Sequence, residues 1–305
     1  MLKFRHNSEI DKTKWDNCIN QSSQNIMTAR SWFLDIVSPG WCAYIFEDQE
    51  FYLYVVPIPI KRKFGIPYVY QPIFTQQLGI FSLEDNDKYL LLLCMEKLSK
   101  RYIKINYHFN VCNNSLLQKS VFAGHLSPRT NYLLQLNKTY EEVHKGFSGE
   151  RKRNIKKAEL NNLQVCESED FKSLLQLFRQ MNGNKLIVIK DADYINLEAI
   201  YHHCKNEKKA VLYLTKNEKN EILAGGLFLI YENKVIYILG AISEAGRTLG
   251  AMILILNEVI KKYSGYNYIF DFEGGQVSSI GWFFKSFGAT PIEYLTLNYK
   301  RFPFM

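Results

Sequence analysis

No apolar run in this chain is long enough to cross a bilayer. The longest, LLLLCM at 90–95 and AMILILNEVI at 251–260, fall short of the ~20 residues that a spanning helix needs, so stable membrane insertion is not expected. The N-terminal stretch MLKFRHNSEIDKTKW is polar and carries no apolar segment, unlike a signal peptide, which predicts a cytoplasmic location. No two of the six cysteines have C-x-x-C spacing, which excludes a zinc ribbon and a thioredoxin-like motif. Cys18, Cys42, Cys94, Cys112, Cys166 and Cys204 sit mostly among apolar residues, as reduced core thiols do. His202, His203 and Cys204 are adjacent; neighbours on a helix point apart, so no metal site is expected there. Acidic residues are the minority, 30 against 38 Lys and Arg, for a net charge of +8. That balance fits an anionic ligand such as a phosphorylated cofactor, RNA or an anionic lipid surface. It fits a basic surface kept for solubility equally well.

What is present is apolar and aromatic. Hydrophobic residues make up 47% of 305, and aromatics 14%, enough for one large domain or two of ordinary size and too much for disorder. Helical patterns are expected at 11–19 and 31–37. WCAYIFE and EFYLYVVPIPI read as a hairpin that ends at Pro57 and Pro59. An irregular aromatic segment, GIPYVYQPIFTQQLGIF, spans 65–81; a helix at 85–100, a strand at 102–109, a short helix near 113–120 and a strand at 131–137 follow. The second half predicts helices at 169–181 and 193–206, strands at 210–215, 221–231 and 234–241, and a loop SEAGR before a helix at 248–263. A strand at 266–273, a helix at 277–288 and a strand at 292–300 complete it. The order repeats, so two copies of one α/β unit are expected, 1–137 and 138–305, joined at the polar stretch NKTYEEVHKG.

Several segments can carry chemistry. In GFSGERKRNIKKAE, Ser148 is a helix N-cap, and Arg151, Lys152, Arg153, Lys156 and Lys157 crowd the turns that follow. Cations there oppose the helix dipole, and a bound anion would relieve them. Arg153, Lys156 and Lys157 share one face; the alternative is a solvated face balanced by Glu150 and Glu159. In FDFEGG, strand alternation puts Asp271 and Glu273 on one side, ~6–7 Å apart. Either can take a proton from an amine or bind a cation; the alternative is an acid capping the next helix. Arg247-Thr248-Leu249-Gly250-Ala251-Met252 partly matches the Q/R-x-x-G-x-G/A loop that holds a pyrophosphate before a helix, with Met252 where a small residue is expected. Gly225 and Gly226 lie inside a strand; they mark either a bulge or a close backbone approach to a ligand, where an amide would stabilise an oxyanion. Tyr70, Gln71, Gln76 and Gln77, with Tyr68 and Phe74, suggest a substrate groove or an aromatic core with polar partners.

The stretches RTNYLLQLNKTYEEVHKGFSGERKRNIKKAE, YNYIFDFEGGQVSSIGWFFKSFGATPIEY and YVYQPIFTQQLGIF together resemble the Fem family of peptidoglycan-bridge aminoacyl transferases and related acyltransferases. The resemblance covers nearly the whole chain. It implies a mixed α/β (α+β) fold of two tandem GNAT-like domains, each a mostly antiparallel sheet flanked by helices. It implies N-acyl transfer to a small-molecule or peptide amine, with acyl-CoA or aminoacyl-tRNA as donor and no metal. Arg153, Lys156 and Lys157 would meet an anionic donor or acceptor, and Asp271 and Glu273 the amine. The chain departs from the bridge enzymes in lacking their long helical-hairpin arm and in placing Glu273 where many have glycine. Acyl-CoA is therefore the expected donor, with tRNA-dependent transfer, or an anion-binding module without catalysis, as alternatives.

Overall fold

The computed structural model describes residues 2–83, 88–118, 120–182 and 189–301. In chain order it contains β1 (Lys3–His6), α1 (Lys12–Gln21), α2 (Ser31–Val37), β2 (Cys42–Glu47), β3 (Tyr52–Ile58), β4 (Ile60–Lys63), β5 (Ile66–Val69), β6 (Phe81–Ser82), α3 (Lys88–Arg101), β7 (Lys104–His108) and α4 (Asn114–Leu117). Then come β8 (Leu126–Gln135), α5 (Tyr140–Lys145), α6 (Gly149–Glu159), β9 (Gln164–Ser168), α7 (Phe171–Asn182), α8 (Asp191–Asn206), β10 (Ala210–Lys216), β11 (Ile222–Tyr231) and β12 (Lys234–Ile242). The chain ends with α9 (Glu244–Leu249), α10 (Ala251–Tyr263), β13 (Ile269–Asp271), α11 (Ser278–Lys285) and β14 (Thr290–Lys300).

Two compact units result: Met1–Arg129 with Glu293–Met305, and Thr130–Ile292. This differs from a division at 137/138. Strand β8 begins at Leu126, well before that junction, and β14 pairs antiparallel with β7, Thr296 opposite His108 through Lys300 opposite Lys104. Ladder hydrogen bonds thus return the C-terminal strand to the first unit. There β1, β2, β3 and β6 form one sheet, and β4 and β5 form a hairpin beside β7. Asp11 caps α1 by accepting from the amides of Thr13 and Lys14. Trp15 and Trp41, both fully buried, meet edge to face at 4.7 Å in the core. The start of the helix expected at 85–100 lies outside the described residues, which resume at Lys88.

In the second unit the strand order is β8-β13-β12-β11-β10-β9, antiparallel except for the parallel pair β12–β13. Helix α10 buries Ala251, Met252, Leu254, Ile255, Leu256, Val259 and Ile260 against this sheet, and each large apolar side chain stabilises by roughly 2 kcal/mol. The register of β11 with β12 skips Ile238 between the Leu227–Leu239 and Phe228–Tyr237 pairs, a bulge in the centre of the sheet. The strand expected over 266–273 is only Ile269–Asp271. Upstream, Gly265 turns the chain at φ 86° and its amide donates to Leu136 and Lys138 carbonyls, so Tyr266 and Asn267 cannot join the ladder. Of the thiols, Cys112 is exposed and Cys166 half-buried; the other four are buried.

Candidate active site

Strand β13 ends at Asp271, whose side chain is 8% exposed. Asp271 Oδ1 accepts from Asn131 Nδ2 at 2.8 Å and from the Glu273 amide at 3.0 Å. Asn131, on β8 and fully buried, uses its other amide atom too: its Oδ1 accepts from the Gly274 amide at 2.9 Å. Asn131 and Asp271 thus clasp the turn 272–274 from inside. Glu273 takes φ 52° and Gly275 φ 124°. At Gly275 a Cβ would lie 2.3 Å from the Tyr132 ring, so only glycine fits.

The turn changes the expected geometry. Glu273 is not on the strand face beside Asp271; the chain folds back so that its own amide caps the Asp271 carboxylate. Asp271 has the capping role, here for a turn and not a helix, and Glu273 is the half-buried, more accessible acid. Burial raises the Asp271 pKa above the usual carboxylate value, against the two hydrogen bonds that favour its charge. Glu273 is raised well above the usual range, first by burial and then by the Asp271 charge, with Lys234 opposing. Burial and the neighbouring Asp271 charge both disfavour ionisation of Glu273. Such a pair can accept a proton from an attacking amine.

The basic helix is built as its sequence suggests. Ser148 Oγ accepts from the Arg151 amide at 3.1 Å and caps α6. Arg153, Lys156 and Lys157 are exposed, and among the described residues no carboxylate pairs with them. Arg151 behaves differently. It is 3% exposed, its Nε donates to Ser286 Oγ at 2.9 Å, and its guanidinium lies 4.5 and 4.6 Å from the Phe283 and Phe287 ring centres. Burial pulls it down to about 10. Arg151, Ile155 and Ala158 form the buried stripe of α6, and their spacing is the signal that separates Arg151 from its cationic neighbours.

Other expected site residues have structural roles. Residues 244–249 are helix α9, not a loop. Gly250, at φ 78°, is buried, and a Cβ there would lie 2.8 Å from the Ala158 Cβ. Ala251 accepts from Thr215 Oγ1 at 3.1 Å. At Arg247–Gly250, where the pyrophosphate loop is expected, Gly250 packs on Ala158 and Arg247 is exposed. Gly225 pairs with Leu214 and Ala241, and Gly226 with Tyr213 and Gly240. Their missing side chains make room for Leu174 and Leu214 at Gly225, and for Phe228 and Ile255 at Gly226. Both glycines thus admit close packing of these side chains.

Tyr70 and Gln71 line a cleft of about 570 Å³ in the first unit. Tyr70 donates to the Val37 carbonyl, while Gln71 links the Thr75 carbonyl to the His108 amide. Gln76 and Gln77 lie outside that lining: Gln77 Nε2 donates to Gln76 Oε1, and the backbone carbonyls of both residues hold His108 and Thr28. Burial lowers the His108 pKa to about 4. Asn131 was not singled out by sequence reasoning, because one polar residue in a strand carries no spacing signal.

Neither a family model nor a curated protein matches this sequence. Solved structures do. FemX superposes with a TM-score of 0.67 at 14% identity, covering 96% of each chain. A tandem GNAT protein from the clavulanic acid biosynthesis pathway gives 0.57 at 8% identity, over 99% of each. L-PGS from Bacillus licheniformis gives 0.52 at 13%, over 95% of this chain and 92% of that one. The class is thus a mixed α/β protein with the tandem GNAT fold. Within that class the fold is the Fem-like one.

Proposed function

We propose that the protein is an acyltransferase that moves an acyl or aminoacyl group from an activated donor to an amine, with Glu273 as proton acceptor. The observation that carries this reading is the clasped Asp271–Glu273 pair, which holds a partly accessible carboxyl far above its ordinary pKa. The amine nitrogen attacks the donor's ester or thioester carbonyl. Its proton passes to Glu273, then to the departing alkoxide or thiolate as the tetrahedral intermediate collapses. Asp271 positions Glu273 and sets its acidity. Arg153, Lys156 and Lys157 meet the phosphates of the donor or acceptor. The acceptor is a small-molecule or peptide amine.

For the donor, the packing of Gly250 on Ala158 favours aminoacyl-tRNA over acyl-CoA, because it fills the place of a pyrophosphate loop. Among the described residues no helix is long and apolar enough to cross a membrane, and we place the reaction in the cytoplasm, where both donors are made. The test is single-turnover transfer from labelled aminoacyl-tRNA, and separately from labelled acetyl-CoA, to a panel of amines. Transfer from tRNA that falls at least a hundredfold in Glu273→Gln supports the proposal. Undiminished transfer in that variant would remove Glu273 from the chemistry, and turnover with acetyl-CoA alone would reverse the donor.

A further inference from the structure

The first unit presents an open sheet face whose chemistry the transfer site does not use. In the β4–β5 hairpin, Lys61 lies opposite Tyr68 and Lys63 opposite Ile66, so these side chains share one face. Tyr70 follows at alternate spacing. Val69 pairs with Ile105 of β7, and both are buried in the core below. Their neighbours Tyr68, Tyr70, Lys104 and Asn106 therefore stand on the other side. In the β7–β14 ladder Lys104 lies opposite Lys300, and Asn106 opposite Asn298. Tyr68, Tyr70, Lys104, Asn106, Asn298 and Lys300 all line the cleft of about 570 Å³, a volume within the range of small-molecule sites.

Three observations point to one ligand chemistry. First, Lys104 and Lys300 are cross-strand neighbours of like charge, an arrangement that destabilises a ladder. No Asp or Glu lines the cleft, and among the described residues neither lysine has an ion pair. A bound anion would relieve that repulsion. Second, the Tyr68 and Tyr70 rings meet edge to face, with centroids 6.4 Å apart and planes inclined at 63°. Lysine ammoniums are their cationic covers: Lys61 Nζ is 4.2 Å from the Tyr70 centroid and Lys104 Nζ 5.4 Å from that of Tyr68. These long side chains can swing from ring to phosphate as a planar group takes their place. Third, Asn106 Nδ2 donates to Asn298 Oδ1 at 2.5 Å, which leaves Asn106 Oδ1 as an acceptor for the polar edge of a planar ligand.

We propose that this sheet face binds a nucleotide, its base stacked on Tyr68 beside Tyr70 and its phosphate held between Lys104 and Lys300. A simple anion would need the lysines alone, and an apolar ligand the tyrosines alone; a phosphate joined to a flat, hydrogen-bonding ring uses all of them. Two sources carry that chemistry: a single-stranded RNA segment, and a free or cofactor-linked mononucleotide.

The experiment is fluorescence anisotropy with a labelled six-nucleotide single-stranded RNA, with AMP, CoA and inorganic phosphate as competitors. Tyr68→Ala is expected to weaken binding about tenfold, since one base loses its stacking partner. Lys104→Gln with Lys300→Gln is expected to lower the slope of log affinity against log salt by ~1.4, from two lost phosphate contacts on a single strand. Displacement by AMP or CoA assigns the site to a mononucleotide; resistance to both assigns it to the strand. Unchanged affinity and slope in the lysine variant, competition by inorganic phosphate as strong as by AMP, or no binding of any probe overturns the proposal. Both lysines are exposed, so that variant keeps the test valid even if Tyr68→Ala lowers the melting temperature. The readout is binding alone, so it succeeds or fails independently of the transfer chemistry assigned to Glu273.

Discussion

Exchanging the two residues of the inner clasp tests the reasoning about the site most directly. Asn131→Ala removes a hydrogen bond to the Asp271 carboxylate and leaves the Gly274 amide without its acceptor. A hydrogen bond to a charged group contributes roughly 1.5–3 kcal/mol, and an orphaned buried donor costs about 1–3, so a loss of roughly 3–5 kcal/mol is expected. Asn131→Asp alone places a second carboxylate against Asp271 and should destabilise more as pH rises. The double variant Asn131→Asp, Asp271→Asn restores every partner. The carboxylate introduced on β8 accepts from the Gly274 amide and from the side-chain amide introduced on β13, whose oxygen accepts in turn from the Glu273 amide. Stability should return to within about 1 kcal/mol of the parent, a coupling far outside the ~0.5 kcal/mol scatter of independent sites. Urea unfolding of the four proteins at one pH supplies the cycle, with equal m-values as the check that the unfolded states match. Additive losses in the double variant would refute the clasp and, with it, the argument that Asp271 is a positioning residue.

Three further outcomes follow from the same geometry. The transfer rate should rise with pH through the raised Glu273 pKa, because the acceptor must be ionised, and the profile should flatten in Glu273→Gln; a parent profile flat from pH 5 to 9 would count against a carboxylate base. Stability should move the other way: a carboxyl raised on folding binds its proton more tightly in the native state, so the parent loses stability as pH climbs from the unfolded value through the folded one, and Glu273→Gln should remove most of that slope in pH-dependent melting curves. Gly225→Ala would put a Cβ 2.7 Å from Leu174 and 2.9 Å from Leu214 and should cost about 1–3 kcal/mol by overpacking; an unchanged urea midpoint would show that the strand has slack.

Much of the fold was legible because its signals are local. Ser31–Val37 is a helix as its pattern predicts, and the aromatic hairpin is β2 with β3. The strands at 210–216, 222–231 and 234–242 lie where they are expected. What was not legible depends on contacts distant in sequence. The return of β14 to β7 is a pairing across most of the chain, and no composition shift marks it. At 247–252 a helix–Gly–helix kink and a loop before a helix share one pattern, and only Ala158 against Gly250 decides between them. Gly225 and Gly226 read equally as ligand approach or packing until Leu174 and Ile255 are seen filling the space. In the site, the pair of acids was legible and its geometry was not, because the strand was extended through a residue that takes positive φ.

That residue, Glu273, is the least economical choice for its position. A left-handed backbone costs a non-glycine residue roughly 1–2 kcal/mol, and burial and the Asp271 charge then disfavour ionisation of its carboxyl. Glycine would remove both penalties while forfeiting roughly 0.4–1 kcal/mol to the freer unfolded chain. Glu273→Gly should therefore raise stability by about 1 kcal/mol near neutral pH while abolishing transfer. A strained, hard-to-ionise acid where glycine fits better is what the proton-acceptor role proposed for Glu273 requires. Differential scanning calorimetry and single-turnover transfer on the one variant settle the matter. A variant that is less stable, or one that transfers normally, breaks the link between the strain and the chemistry.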